Sequence, residues 1–76
     1  MRHAAFRRSL RAFSRRVPFL PYIIELETGN EIVVSHPEAV ILNGKLVIVR
    51  DPDRSQHLFD SLSVCQLRDL PKKETG

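Results

Sequence analysis

The stretch 21-PYIIELETGNEIVVSHPEAVIL-42 decides how this chain folds. Tyr22, Ile24 and Leu26 alternate with Ile23, Glu25 and Glu27, and a period of two marks a half-buried strand. Thr28-Gly29-Asn30 follows as a tight turn, because Gly29 and Asn30 tolerate positive φ. Ile32 and Val34 resume the inward face on the return arm. His36-Pro37-Glu38 then interrupts that arm. Proline cannot donate to a ladder, so it sits at an edge or a bulge. The pattern predicts one long strand that bends at His36, Pro37 and Glu38 and continues through residues 39–42. In this reading the His36 and Glu38 side chains hydrogen-bond the backbone that the bend frees.

Downstream, Asn43-Gly44 is the strongest hairpin signal in the chain. Residues 45–50 form the next strand, with Leu46, Val47, Ile48 and Val49 apolar on both faces. A strand apolar on both faces needs two covers. One is the sheet interior. The other is either an aromatic helix stripe or a neighbouring subunit, and the outward Ile23 and Val33 pose the same demand. Asp51-Pro52-Asp53-Arg54 reads as a turn, residues 55–59 as a strand, Asp60-Ser61 as a sharp break and residues 62–67 as the last strand. Residues 71–76 read as a polar, disordered tail.

Upstream, Phe6, Leu10, Phe13 and Val17 recur at helical spacing, which predicts a helix over 3–15. Pro18 stops it, since the residue before a proline is pushed out of the α region. The organisation is thus a basic amphipathic helix in residues 1–16, a β body in residues 17–70, and the tail. Charge follows the same division. All six of Arg2, Arg7, Arg8, Arg11, Arg15 and Arg16 precede residue 17, where no acid occurs, while the rest of the chain carries six basic and nine acidic residues. A basic arm on an acidic body suits nucleic acid, an anionic membrane, an acidic protein surface, or the body of a second copy. Such an acid-free, Arg-rich start also resembles a mitochondrial transit peptide, a reading that would cost this small domain its helix.

Seventy-six residues make one domain that buries roughly 60% of its unfolded surface. Domains this small lean on disulfides, metals or self-association. The single Cys65 excludes an internal disulfide, the three histidines lack metal-ligand spacing, and no cofactor motif is present; that leaves good packing or homo-oligomerisation, and homo-oligomerisation is the expected support. No apolar run approaches the ~20 residues of a membrane span. A reduced, cytoplasmic setting is expected.

One helix followed by about five short strands predicts a mainly β chain, a small five-stranded antiparallel barrel of Sm-like or SH3-like type. Tyr22-Ile23-Ile24-Glu25-Leu26-Glu27-Thr28-Gly29, Ala39-Val40-Ile41-Leu42, Ser55-Gln56-His57-Leu58-Phe59-Asp60 and Val64-Cys65-Gln66-Leu67 together resemble, in outline, the Hfq branch of the Sm family. That resemblance implies a small barrel and RNA as partner. The family's lysine-histidine pair would fall near Asp60 and Ser61 and is absent. Its Asp-Gln-Phe stretch would fall at Pro37-Glu38-Ala39, without the aromatic, so the RNA pore does not carry over residue by residue. Pro18-Phe19-Leu20-Pro21, Thr28-Gly29-Asn30-Glu31-Ile32 and His36-Pro37-Glu38 resemble a group of small bacterial proteins that share a Pro-Phe-x-Pro opening, a glycine turn and a His-Pro-Glu step. This implies a bacterial source and brings no activity with it.

No residue set reads as catalytic. His36 beside Glu38 has the chemistry of an acid–base pair, but the step reads first as geometry. His57 reads as a residue of a sheet face, His3 as part of a frayed terminus, and Cys65 as a small buried hydrophobe. The serines lack a nucleophile-elbow setting, and three glycines form no phosphate loop. The expectation is therefore a non-enzymatic interaction module that self-associates. The alternative is an RNA-binding protein using Arg7, Arg8, Arg11, Arg15 and Arg16, with Tyr22 as the one exposed stacking candidate.

Overall fold

The N-terminal stripe forms helix α1 (His3–Ser14) in the computed structural model, which describes residues 1–51 and 53–70. The expected tail at 71–76 and Pro52 of the expected turn lie outside the described residues. Phe6 and Leu10 are buried and Phe13 packs against the same core. No side chain caps the helix N-terminus and no acid lies in its first turn. Burial of one apolar face therefore holds α1, since a 12-residue helix is marginal alone.

Six strands follow: β1 (Tyr22–Leu26), β2 (Glu31–Val34), β3 (Val40–Asn43), β4 (Leu46–Arg50), β5 (Gln56–Asp60) and β6 (Val64–Asp69). They make two three-stranded antiparallel sheets, ordered β2-β1-β6 and β3-β4-β5. The expected five-stranded barrel, Sm-like or SH3-like, is thus corrected to six strands in two sheets that do not close. The physical reason lies at two corners. A 3-10 turn over Pro37–Ala39 divides the anticipated long bent strand, so β2 pairs with β1 and β3 pairs with β4. A second 3-10 turn over Ser61–Ser63 divides β5 from β6, with the Asp60 carboxylate accepting from the Leu62 N–H at 2.8 Å. Gly29 and Gly44 hold φ of 93° and 60° in the two hairpin turns, where a side chain would be strained.

One core lies between the sheets. Tyr22, Ile24, Ile32, Val34, Ala39, Val47, Val49 and Val64 meet there, and Phe6 and Leu10 close it from the helix side. Helix α1 rests on β6 and the Ser61–Ser63 turn. His3 is not frayed: its Nδ1 lies 2.9 Å from the hydroxyl of buried Ser61. Tyr22 is not an exposed platform. Its ring is fully buried, with centroids 5.1 Å from Phe13 and 6.1 Å from Phe19, and burial raises its pKa.

The outward face of β2-β1-β6 is charged at one end. Glu25 and Glu31 stand directly opposite each other on β1 and β2, a repulsive pairing by itself. Arg68 on β6 resolves it by donating to both, at 3.1 Å from Nε to Glu25 and through Nη2 to Glu31. Hydrogen bonds from Arg68, then Gln66, hold the Glu25 carboxyl below its ordinary 4.5. A depressed folded-state pKa stabilises above the unfolded value, and that contribution is lost as pH falls through the folded value. Arg68→Ala is therefore expected to lower the melting temperature at pH 7 and to have little effect at pH 2–3. Differential scanning calorimetry at the two pH values checks this; an equal shift at both would contradict it.

Candidate interaction surfaces

Two surfaces present chemistry that the core does not use. The first is the outward face of the β3-β4-β5 sheet. Cross-strand register places Ile41 opposite Ile48 and Ile48 opposite Leu58, so one apolar row crosses all three strands. Val47 and Val49 of β4 point inward and are buried, while Leu46 and Ile48 point outward. Leu46 is 40% exposed and Leu58 60% exposed, so the described residues supply no second cover for this doubly apolar strand. The helix stripe does not supply it, because α1 sits on β6 instead. On the other sheet the outward Ile23 is buried, opposite Val33 and Arg68.

The second surface is the outer side of α1. Arg7, Arg11 and Arg15 recur every four residues, which stacks them ~6 Å apart along the helix axis. They line one side of a shallow groove of about 300 Å³ with Ser14, and Leu42 of β3 lines it too. Arg8 joins Arg7 and Arg11 in a neighbouring groove of about 300 Å³. None of these four guanidinium groups has a carboxylate within salt-bridge distance among the described residues. Arg16 is placed differently. It pairs with Asp69, donates to the Leu20 carbonyl at 2.9 Å, and lies 4.6 Å from the Phe13 ring centroid. It pins the connector to the body rather than extending the ridge.

Other singled-out residues fall apart from these surfaces. His36 and Glu38 are exposed around the Pro37–Ala39 turn, and the bonds anticipated from their side chains to the freed backbone are absent among the described residues; the Ala39 N–H bonds the His36 carbonyl at 3.0 Å instead. His57 Nε2 meets Asp51 Oδ2 at 2.7 Å. Cys65 is exposed on β6, not buried, because it falls at the register shift between the Glu25–Gln66 and Leu26–Val64 pairs, where Val64 takes the inward position. Asn30 is an exposed turn residue and Asn43 ends β3. The described residues contain no cluster of three or more metal-ligating side chains, and no helix among them is long and apolar enough to cross a membrane. The pairing of His3 with Ser61 had no signal in the sequence, because 58 positions separate the two. No protein-family model, curated protein or solved structure matches the chain.

Proposed function

We propose that this chain is a self-associating, non-enzymatic interaction module that meets another copy through the β3-β4-β5 sheet. The observation that carries the reading is the uncovered row Ile41–Ile48–Leu58 with Leu46 beside it. Fully burying a Leu or Ile side chain stabilises by about 1.5–3 kcal/mol, so covering these half-exposed residues contributes roughly half that each. For so small a domain that gain is large. The unpaired, exposed thiol of Cys65 suits a reducing, cytoplasmic setting.

Multi-angle light scattering over a concentration series tests the reading. Particles heavier than the 8.7 kDa chain are expected, and Leu46→Ser combined with Leu58→Ser is expected to return them to folded monomer, with a lower melting temperature that no longer depends on protein concentration. A strict monomer at the highest soluble concentration would overturn it.

A second reading has its own support. Like charges at i and i+4 on a helix, here Arg7 with Arg11, destabilise it by about 0.2–0.5 kcal/mol per pair. A helix that carries this penalty without compensating acids is suited to an external polyanion. Single-stranded nucleic acid fits, with contacts to phosphate rather than base, because Tyr22 is buried and offers no stacking face.

A further inference from the structure

We infer that two copies join by antiparallel pairing of β5 with β5 across a two-fold axis at Leu58, an inference that rests on the self-association proposed above. Among the described residues strand β5 pairs only with β4, which leaves its other edge without a strand partner in the sheet order. A groove of about 500 Å³ runs along that edge, and it is lined by residues of both β5 faces together with Leu26, Glu31 and Ile32 of the other sheet and Asn30 of its turn. It therefore offers space beside the strand, with an apolar wall for inward side chains of an added strand.

Register and charge select the second copy as occupant. A two-fold at Leu58 places Leu58 opposite Leu58, His57 opposite Phe59, and Gln56 opposite Asp60, so no like charges oppose. The apolar rows of the two copies then join into one, Ile41–Ile48–Leu58 continuing into Leu58–Ile48–Ile41, in which the two opposed Leu58 side chains cover each other while Ile41 and Ile48 stay on the open face. Arg50, which lies opposite Gln56 in its own sheet, falls into the same cross-strand row as the second copy's Asp60. The other free edges are less suited. Pairing through β3 brings two copies of the Arg7–Arg11–Arg15 ridge together, since Leu42 borders that groove. The β6 edge borders the charged outward face that holds Glu25 and Arg68, and the β2 edge, which flanks the same groove as β5, carries Glu31 of that face.

Directly opposed residues in an antiparallel pair have Cα atoms about 4.5–5.5 Å apart, within disulfide reach. The test uses the full chain carrying Cys65→Ser. Mild oxidation of the Leu58→Cys variant is expected to give mostly disulfide-linked dimer. Gln56→Cys mixed with Asp60→Cys is expected to cross-link as a heterodimer, whereas Gln56→Cys alone is not. Leu58→Glu, which sets two carboxylates face to face, is expected to weaken association at least tenfold. Cross-linking of Leu58→Cys without the mixed Gln56/Asp60 product would overturn edge pairing in favour of face-to-face packing. Assembly of the wild type with no cross-link at all would overturn the edge but leave self-association standing, and a monomeric wild type would remove both. Circular dichroism verifies that each variant is folded; if Asp60→Cys is not, absence of the Leu58→Cys dimer suffices to overturn the pairing.

Discussion

Phe6→Ala is expected to leave the domain largely unfolded at 25 °C, with the cooperative thermal transition seen by circular dichroism lost. Phe6 is fully buried and is one of the largest side chains in the core. Truncating a buried phenylalanine costs about 3–5 kcal/mol, combining lost transfer energy with the cavity left behind. Stability of roughly 0.05–0.15 kcal/mol per residue gives a 76-residue chain only about 4–11 kcal/mol in total, and small domains sit at the low end. The location aggravates the loss. Phe6 and Leu10 are the two buried residues that hold α1 to the sheets, and the helix has no acidic first turn and no side-chain cap to keep it formed once released. Val17→Ala is the matching control: Val17 is 95% exposed and the change should shift stability by no more than about 0.5 kcal/mol. A Phe6→Ala protein that melts within a few degrees of wild type would mean that α1 is not part of the core.

The contrast between Phe6 and Val17 also indicates what the sequence makes legible. Both belong to the same apolar spacing, but Pro18 releases the chain before Val17 can join the stripe, so periodicity located the helix and overstated its reach. The hairpin around Gly29 was legible because period-two alternation and a positive-φ turn are local signals. The partition into two sheets was not. A proline after two strand-like arms fits a bend in one strand as well as a turn between two, and only long-range pairing distinguishes them: Val34 ends opposite Tyr22, while Val40 begins opposite Val49. Burial of Tyr22 was half legible, since alternation set it inward with Ile24, while its aromatic ring made it the exposed stacking candidate. Phe13 and Phe19, from two other segments, converge on it. Among the arginines, sequence alone could not separate Arg16 from its neighbours. Asp69, more than fifty positions away, makes that distinction.

That separation gives the remaining prediction its control. The triple variant Arg7→Ala, Arg11→Ala, Arg15→Ala is expected to lose binding to single-stranded RNA at least tenfold at low salt while becoming slightly more stable. Each phosphate contact on a single strand contributes roughly 0.7 to the slope of log affinity against log salt, so removing three should flatten that slope by about 2. Stability should move the other way. The repulsive Arg7–Arg11 pair disappears, worth about 0.2–0.5 kcal/mol, and alanine is the best helix former at both positions, while Arg15 caps the helix from outside it. Arg16→Ala should behave in the opposite sense, losing the Asp69 pair and the Phe13 stack, lowering the melting temperature, and leaving RNA affinity nearly unchanged. Fluorescence anisotropy with a labelled RNA and a matched DNA strand, read beside thermal melts, checks all of this, and the two strands should bind alike because phosphate is the shared ligand. A solvated ridge without a ligand would also gain stability on losing its arginines, so binding decides. No wild-type complex at low salt, or equal affinity for wild type and the triple variant, would remove the nucleic-acid reading and leave the arginines as a solubilising face on a self-associating module.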